Sequence, residues 1–302
     1  MGNNENRLNN YEQQVHKIFK NTNEGSYSSR YTYEASCNQF AKWLSNSEYK
    51  LTNIKNISFK HVDAYVKDCK EKGLSSSTIM KNIAAIKYMS EKGNFKNRLP
   101  EDNKQWDLEK RNSGTIDRAW SQKEYNNLKI ASEKTNRQDV IISAMLSKEF
   151  GLRLQETLHI TPQQLKDAIK NKELHITKTK HGRPRTIKLT NEQQIKTAET
   201  LIKYSELKGI KNNQRIQETK EGILKEKQSI EKFIYNHQNE IIDKDYRKTE
   251  IKGQKIKEEK PTFHGLRYSY VQQLEKEGFK KYISQNTGHN RSEVDRVYLN
   301  KK

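Results

Sequence analysis

HGLRYSY, residues 264–270, sets a histidine and an arginine three positions apart near the end of a 302-residue chain. Residues at i and i+3 share one face of a helix. A helix start bearing an imidazole and a forked guanidinium suits a phosphodiester: the fork offers parallel donors and the helix N-terminus adds positive potential. The same pair on a solvated amphipathic helix would do nothing, and a motif this short favours that reading when it stands alone. The rest of the chain decides.

Charge points towards phosphate. Lys and Arg number 58 against 38 Asp and Glu, a formal net charge of +20. Such an excess repels itself and calls for a polyanion. Nucleic acid is the default, because neutralising its phosphates releases counterions. The rival is an anionic membrane surface. No apolar run has the length of a spanning helix, and no amphipathic anchor is visible. The polar start MGNNENRLNNYEQQV has no signal-peptide core, and Asn6 stands where a myristoylation signal wants Ser or Thr. Cys37 and Cys69 are too few for a disulfide scaffold or a Cys-rich zinc site and read as buried thiols in a reducing cytoplasm. The length allows two domains.

Residues 1 to about 25 are Asn-rich and read as a loose arm. Three segments with helical spacing follow. Tyr33, Cys37, Phe40 and Leu44 form one stripe; Val62, Tyr65, Val66 and Cys69 a second; Ile79, Ile83 and Ile86 a third. They predict a small helical module with Lys81 and Lys87 on its basic outer faces. The polar stretch 93–117 reads as a linker. Beyond it, QDVIISAMLSKEFG predicts a helix capped by Gly151, and Thr161–Pro162 opens another. ELHIT and RTIKL alternate around the basic turn KTKHGRP, predicting a β-hairpin. Residues 191–260 read as mostly helical, with DKDYRKTEIKGQKIKEEK a solvated loop of no chemistry.

Four pieces then fall in order: FGLRLQE with Arg153 and Glu156, TKTKHGRPR in the hairpin turn, HGLRYSY with His264 and Arg267, and TGHNRSEVDRVYL with His289 nine residues before Tyr298. In this order and at these separations they resemble the catalytic domain of tyrosine recombinases, the phage-type integrases, over residues 118–302. The Gly-Arg-Pro-Arg turn and the EVDRVYL ending look most like integrases of conjugative or integrative mobile elements. The helical module resembles, more weakly, that family's core-binding domain. The resemblance implies a mainly α protein of two domains. Residues 1–112 would be the arm, a SAM-like helical core-binding domain and the linker; residues 113–302 would be a mixed α/β catalytic domain with a small antiparallel sheet. The two would clamp duplex DNA.

Cutting a phosphodiester without a metal needs an attacking oxygen, neutralisation of the phosphate, and a proton for the leaving oxygen. Tyr298 is the candidate nucleophile. Arg153 and Arg267 would clamp the non-bridging oxygens, His289 would add a hydrogen bond, and His264 would serve as base or phosphate contact. Glu156 would orient an arginine, or be a plain surface ion pair. By the family's pattern Lys180 would protonate the leaving 5′ oxygen, with Lys178 the alternative. Lys178, Arg183 and Arg185 join Lys81 and Lys87 as candidate DNA contacts; His159 and His175 suit packing or backbone contact. The resemblance implies a 3′-phosphotyrosyl intermediate, which conserves bond energy and needs no ATP. No phosphate-binding loop and no carboxylate cluster for two metals is visible; no cofactor and no metal is expected.

Two features depart from the family. Thr287 precedes Gly-His where leucine is commoner, implying a local packing change. Four residues, 299–302, follow Tyr298, too few for a docking helix. Subunit contacts are therefore expected from the helical module or from Ile202, Ile210, Ile223 and Ile230, which could equally be core. The expected partners are double-stranded DNA, other copies of the chain as a tetramer on paired sites, and a directionality factor. The rival functions are a type IB topoisomerase-like relaxing enzyme, which a plasmid relaxation assay would reveal, and a DNA-binding protein without catalysis.

Overall fold

The computed structural model describes residues 2–108, 117–179, 182–217, 221–247, 250–251, 254–255, 260–288 and 297–299. The chain divides into two units, Met1–Asn112 and Ser113–Lys302. The fold is mainly α with a small antiparallel hairpin, the class expected.

The first unit contains α1 (Gly2–Lys20), α2 (Tyr27–Asn46), α3 (Phe59–Glu71) and α4 (Ser76–Lys92). Serines start the last three: Ser26 and Ser75 accept from the N–H groups of Ser29 and Thr78, and His61 accepts the N–H of Ser58. The core joins Phe40 and Leu44 to Val62 and Val66 and to Ile79, Ile83 and Ile86, the three stripes read above. Cys37 and Cys69 are buried free thiols.

Two expectations fail here. The N-terminal arm is helix α1, whose Tyr11, Val15 and Phe19 enter the core. Asparagines lower helix propensity, but a stripe at i, i+4 and i+8 outweighs them once it finds a partner surface. The linker also packs at its start. Trp106 is buried, and Phe95, Leu99 and Leu108 lie against the same core. Scattered apolar anchors in a polar stretch have no period to betray them. Lys87 serves that packing. Its ammonium donates to the carbonyls of Glu101 and Asp102 and to Asn103 Oδ1, and lies 5.6 Å from the Trp106 ring centre. It is a staple, not the outward DNA contact expected of it. Lys81 is exposed.

The second unit runs α5 (Gln122–Lys134), α6 (Gln138–Phe150), α7 (Leu154–Thr157), α8 (Pro162–Asn171), β1 (Glu173–Ile176), β2 (Arg185–Lys188), α9 (Glu192–Leu207), α10 (Ile223–Asn236), α11 (Gln238–Ile241), β3 (Glu250–Ile251), β4 (Gln254–Lys255), α12 (Phe263–Lys276) and α13 (Ile283–Thr287). Helix α6 is the hub. It buries residues on most of its circumference and packs against α5, α7, α9 and α12. Strands β1 and β2 pair antiparallel with Leu174 opposite Ile187, both fully buried, and His175 opposite Thr186 on the outer face.

Ile230 is buried, Ile223 packs on the same core, and Ile202 packs on a neighbouring one. These isoleucines are therefore core rather than an assembly surface. The stretch read as a solvated loop holds a second small hairpin, β3–β4, and two buried ionic groups. Arg247 grips both oxygens of the fully buried Glu124 at 2.8 and 2.6 Å. Asp243 accepts from Ser121 and Lys123. A charge-rich composition conceals a charged group whose partner lies far away in sequence.

Candidate active site

Gly151 ends α6 in the left-handed conformation (φ 64°), and a Cβ there would lie 2.2 Å from the Tyr270 ring. Only glycine can make this turn. Two residues later Arg153 caps α7, with Glu156 in its first turn. Glu156 is 1% exposed and makes four bonds. Its carboxylate accepts the Arg153 N–H (2.8 Å) and guanidinium (3.0 Å), and the Arg185 fork at 2.7 and 2.6 Å. Burial alone would raise its pKa. The hydrogen bonds and charge of Arg185, helped by Arg153, override burial and hold it at about 2. Glu156 is thus a buried organiser of two arginines, not a surface ion pair.

Helix α12 carries the opening motif. Its first turn lies on the Arg118–Trp120 segment. A Cβ on Gly265 would come within 2.4 Å of the Arg118 carbonyl and 2.5 Å of the Trp120 ring, so glycine permits the contact. Trp120 Nε1 donates to the Thr262 carbonyl just before the helix. His264 is exposed while Arg267 is buried. The Arg267 fork donates to the Gly151 carbonyl (2.5 Å) and to the Thr287 carbonyl, joining the ends of α6 and α13. Burial lowers its pKa to about 10, with Arg153 and Arg185 pushing the same way against Tyr298 and Glu156. It stays charged at neutral pH.

Tyr298 lies against this helix. Its hydroxyl is 2.9 Å from His264 Nε2, its ring is 4.2 Å from that of Tyr268, and the Arg267 guanidinium is 5.9 Å from its ring centre. The side chain is buried. Histidine and arginine thus flank the tyrosine from one helix, as the i, i+3 spacing requires.

The structure therefore gathers Arg153, Glu156, His264, Arg267 and Tyr298. It adds Arg185, which was expected to face DNA. Its side chain is 7% exposed, and its Nε donates to the Asn286 carbonyl at 2.9 Å. Its charge is answered by Glu156, so it turns inward. Three guanidiniums against one carboxylate leave the cluster positive, which suits an anion. Lys178 and Arg183 are exposed in the hairpin turn; Lys180 and His289 lie outside the described residues. His175 bonds Thr186 at 2.8 Å, and burial lowers the pKa of His159. Sequence reasoning missed Asn286. It is fully buried, and its amide bonds the Lys188 N–H and carbonyl and the Tyr270 hydroxyl. Among the described residues no cluster of His, Cys, Asp and Glu could hold a metal ion.

A family model described as "Integrase" matches residues 110–273, more than half of the chain, and one described as "Phage integrase, N-terminal" matches residues 8–96. The chain belongs to the integrase family, the tyrosine recombinases. No curated protein sequence matches it significantly. Among solved structures, a lambda integrase dimer bound to a COC′ core site superposes with a TM-score of 0.64 at 14% identity, covering 97% of this chain and 76% of that one. The Tn1549 transposon integrase (residues 82–397) with circular intermediate DNA gives 0.59 at 15% identity, covering 96% and 94%. A lambda integrase tetramer bound to a Holliday junction gives 0.65 at 13%, covering 96% and 76%. At these identities the likeness establishes the fold. Membership makes this integrase a DNA-breaking and rejoining enzyme, a site-specific recombinase. Among its described residues no helix is long and apolar enough to cross a membrane.

Proposed function

We propose that this integrase cuts and rejoins duplex DNA through Tyr298, integrating or excising a mobile element. The Tyr298 oxygen attacks the scissile phosphorus, the bond from phosphorus to the 5′ oxygen breaks, and a 3′-phosphotyrosyl ester forms. His264 takes the phenolic proton. The observation that carries this reading is the 2.9 Å contact between Tyr298 Oη and His264 Nε2 beside the buried Arg267 charge. Nucleophile and base lie within hydrogen-bond reach, as proton abstraction requires. Arg153 and Arg267 stabilise charge on the pentavalent phosphate, with His289 adding a hydrogen bond. Lys180 gives its proton to the leaving 5′ oxygen; Lys178 is the alternative. Reversal of the same steps on a second strand completes the exchange without ATP.

The substrate class follows from the net charge and the positive cluster, and the DNA in the lambda and Tn1549 integrase complexes supports it. Copies of the chain assemble on paired sites, a reading that the lambda tetramer on a Holliday junction supports. A directionality factor selects integration or excision, and the reaction takes place in the cytoplasm. The test is Tyr298→Phe on a nicked suicide substrate. The variant should bind DNA as the parent does and form no covalent adduct. An adduct that persists moves the nucleophile elsewhere.

A further inference from the structure

Arg185 opens β2, the returning strand of the hairpin. Its guanidinium edge is spent on both oxygens of Glu156, the residue that also holds the Arg153 N–H and guanidinium. Its Nε donates to the main chain of Asn286 near the end of α13. The Asn286 amide closes the circuit from the other side. It accepts the Lys188 N–H and donates to the Lys188 carbonyl, extending the β2 edge as a further strand would. Gly288 follows in the left-handed conformation, and a Cβ there would lie 3.0 Å from the Arg185 side chain. One side chain thus joins three parts of the site: the α7 turn that holds Arg153, the hairpin strand, and the end of α13 before Gly288.

A lysine has three donors at one point and cannot span two carboxylate oxygens and a carbonyl together. A general acid on a hairpin works only if the hairpin is held in register with the phosphate. We propose that Arg185 is a positioning residue that ties the hairpin to the Glu156–Arg153 phosphate clamp, and so governs protonation of the leaving 5′ oxygen rather than binding of DNA. This rests on the reading that a hairpin lysine is the leaving-group acid.

The experiment compares ordinary DNA with DNA carrying a 5′-bridging sulfur at the scissile phosphate. In both, the bond from phosphorus to Tyr298 forms as the bond to the 5′ atom breaks. Oxygen must leave with a proton from the lysine ammonium, whereas sulfur leaves as a thiolate. Arg185→Lys should bind ordinary DNA as the parent does. It should cleave that DNA about 100-fold more slowly, the order of effect of a misplaced general acid. On the sulfur substrate it should cleave at nearly the parent rate. Asn286→Ala keeps the carbonyl that Arg185 uses but removes the side-chain bonds that hold Lys188 of the same strand to α13, and should show the same rescue; it tests the anchoring of β2 independently if Arg185→Lys does not fold. Lys180→Ala and Lys178→Ala are the controls. Rescue of either lysine variant without rescue of Arg185→Lys overturns the positioning role alone. Rescue of neither lysine variant overturns the acid assignment and this inference with it. Weakened DNA binding by Arg185→Lys as the main defect overturns it too.

Discussion

Glu156 and Arg267 show how much a single buried charge can hold in place. Glu156 ionises at about 2, well below the ordinary carboxylate, so it contributes stability that is fully present above about pH 4.5 and fades as pH falls towards 2. Glu156→Gln should therefore destabilise the protein by about 3 kcal/mol at neutral pH, the order expected when a buried pair loses one partner. Urea unfolding should show that deficit shrink below pH 4.5; a constant deficit down to pH 2 would contradict the linkage. Arg267→Lys should cut cleavage by roughly 100-fold or more while DNA binding changes little. A point charge cannot reach the Gly151 and Thr287 carbonyls together, and many other cations share the phosphates. Single-turnover rates beside filter-binding constants separate the two effects, and near-parental cleavage by the lysine variant would count against the clamp.

At the scale of elements, the candidate active site is made by where helices stop and touch. The Gly151 turn aims Arg153, and the close pass of Gly265 over Arg118 and Trp120 seats the first turn of α12. Gly265→Ala should overpack that contact, costing about 1–3 kcal/mol and carrying His264 away from Tyr298. Calorimetry and adduct formation should fall together; a lower melting temperature with intact cleavage would show that the contact serves stability alone. Helices α2, α3, α4, α6 and α8 and the β1–β2 hairpin were legible because each has its own period, cap or turn. Helix α1 was not, because Tyr11, Val15 and Phe19 are too sparse among asparagines to announce a helix without the surface that receives them. Trp106 was hidden in the same way.

For the whole molecule, the charge of +20 predicts binding that is dominated by phosphate contacts. Affinity for duplex DNA should fall about 1,000-fold or more between 50 and 200 mM salt, the range for several neutralised phosphates. Fluorescence anisotropy across a salt series measures the slope, and a flat response would refute an electrostatic interface. The fold and the family were legible at this scale because four motif pieces stand in a fixed order that composition does not produce by chance.

The sequence by itself determined the class of fold, the helical stripes and the hairpin, and it singled out Arg153, Glu156, His264, Arg267 and Tyr298 as candidates, which the fold brings together. These depend on local spacing and residue chemistry, which a linear chain displays. Only the tertiary structure decided what each charge faces. Arg185 turned from DNA to Glu156, Lys87 from DNA to the carbonyls beside Trp106, and Arg247 from solvent to Glu124. The physical reason is the same in each case. A charge is held where an opposite charge or a carbonyl dipole compensates its burial, and that partner can lie a hundred residues away.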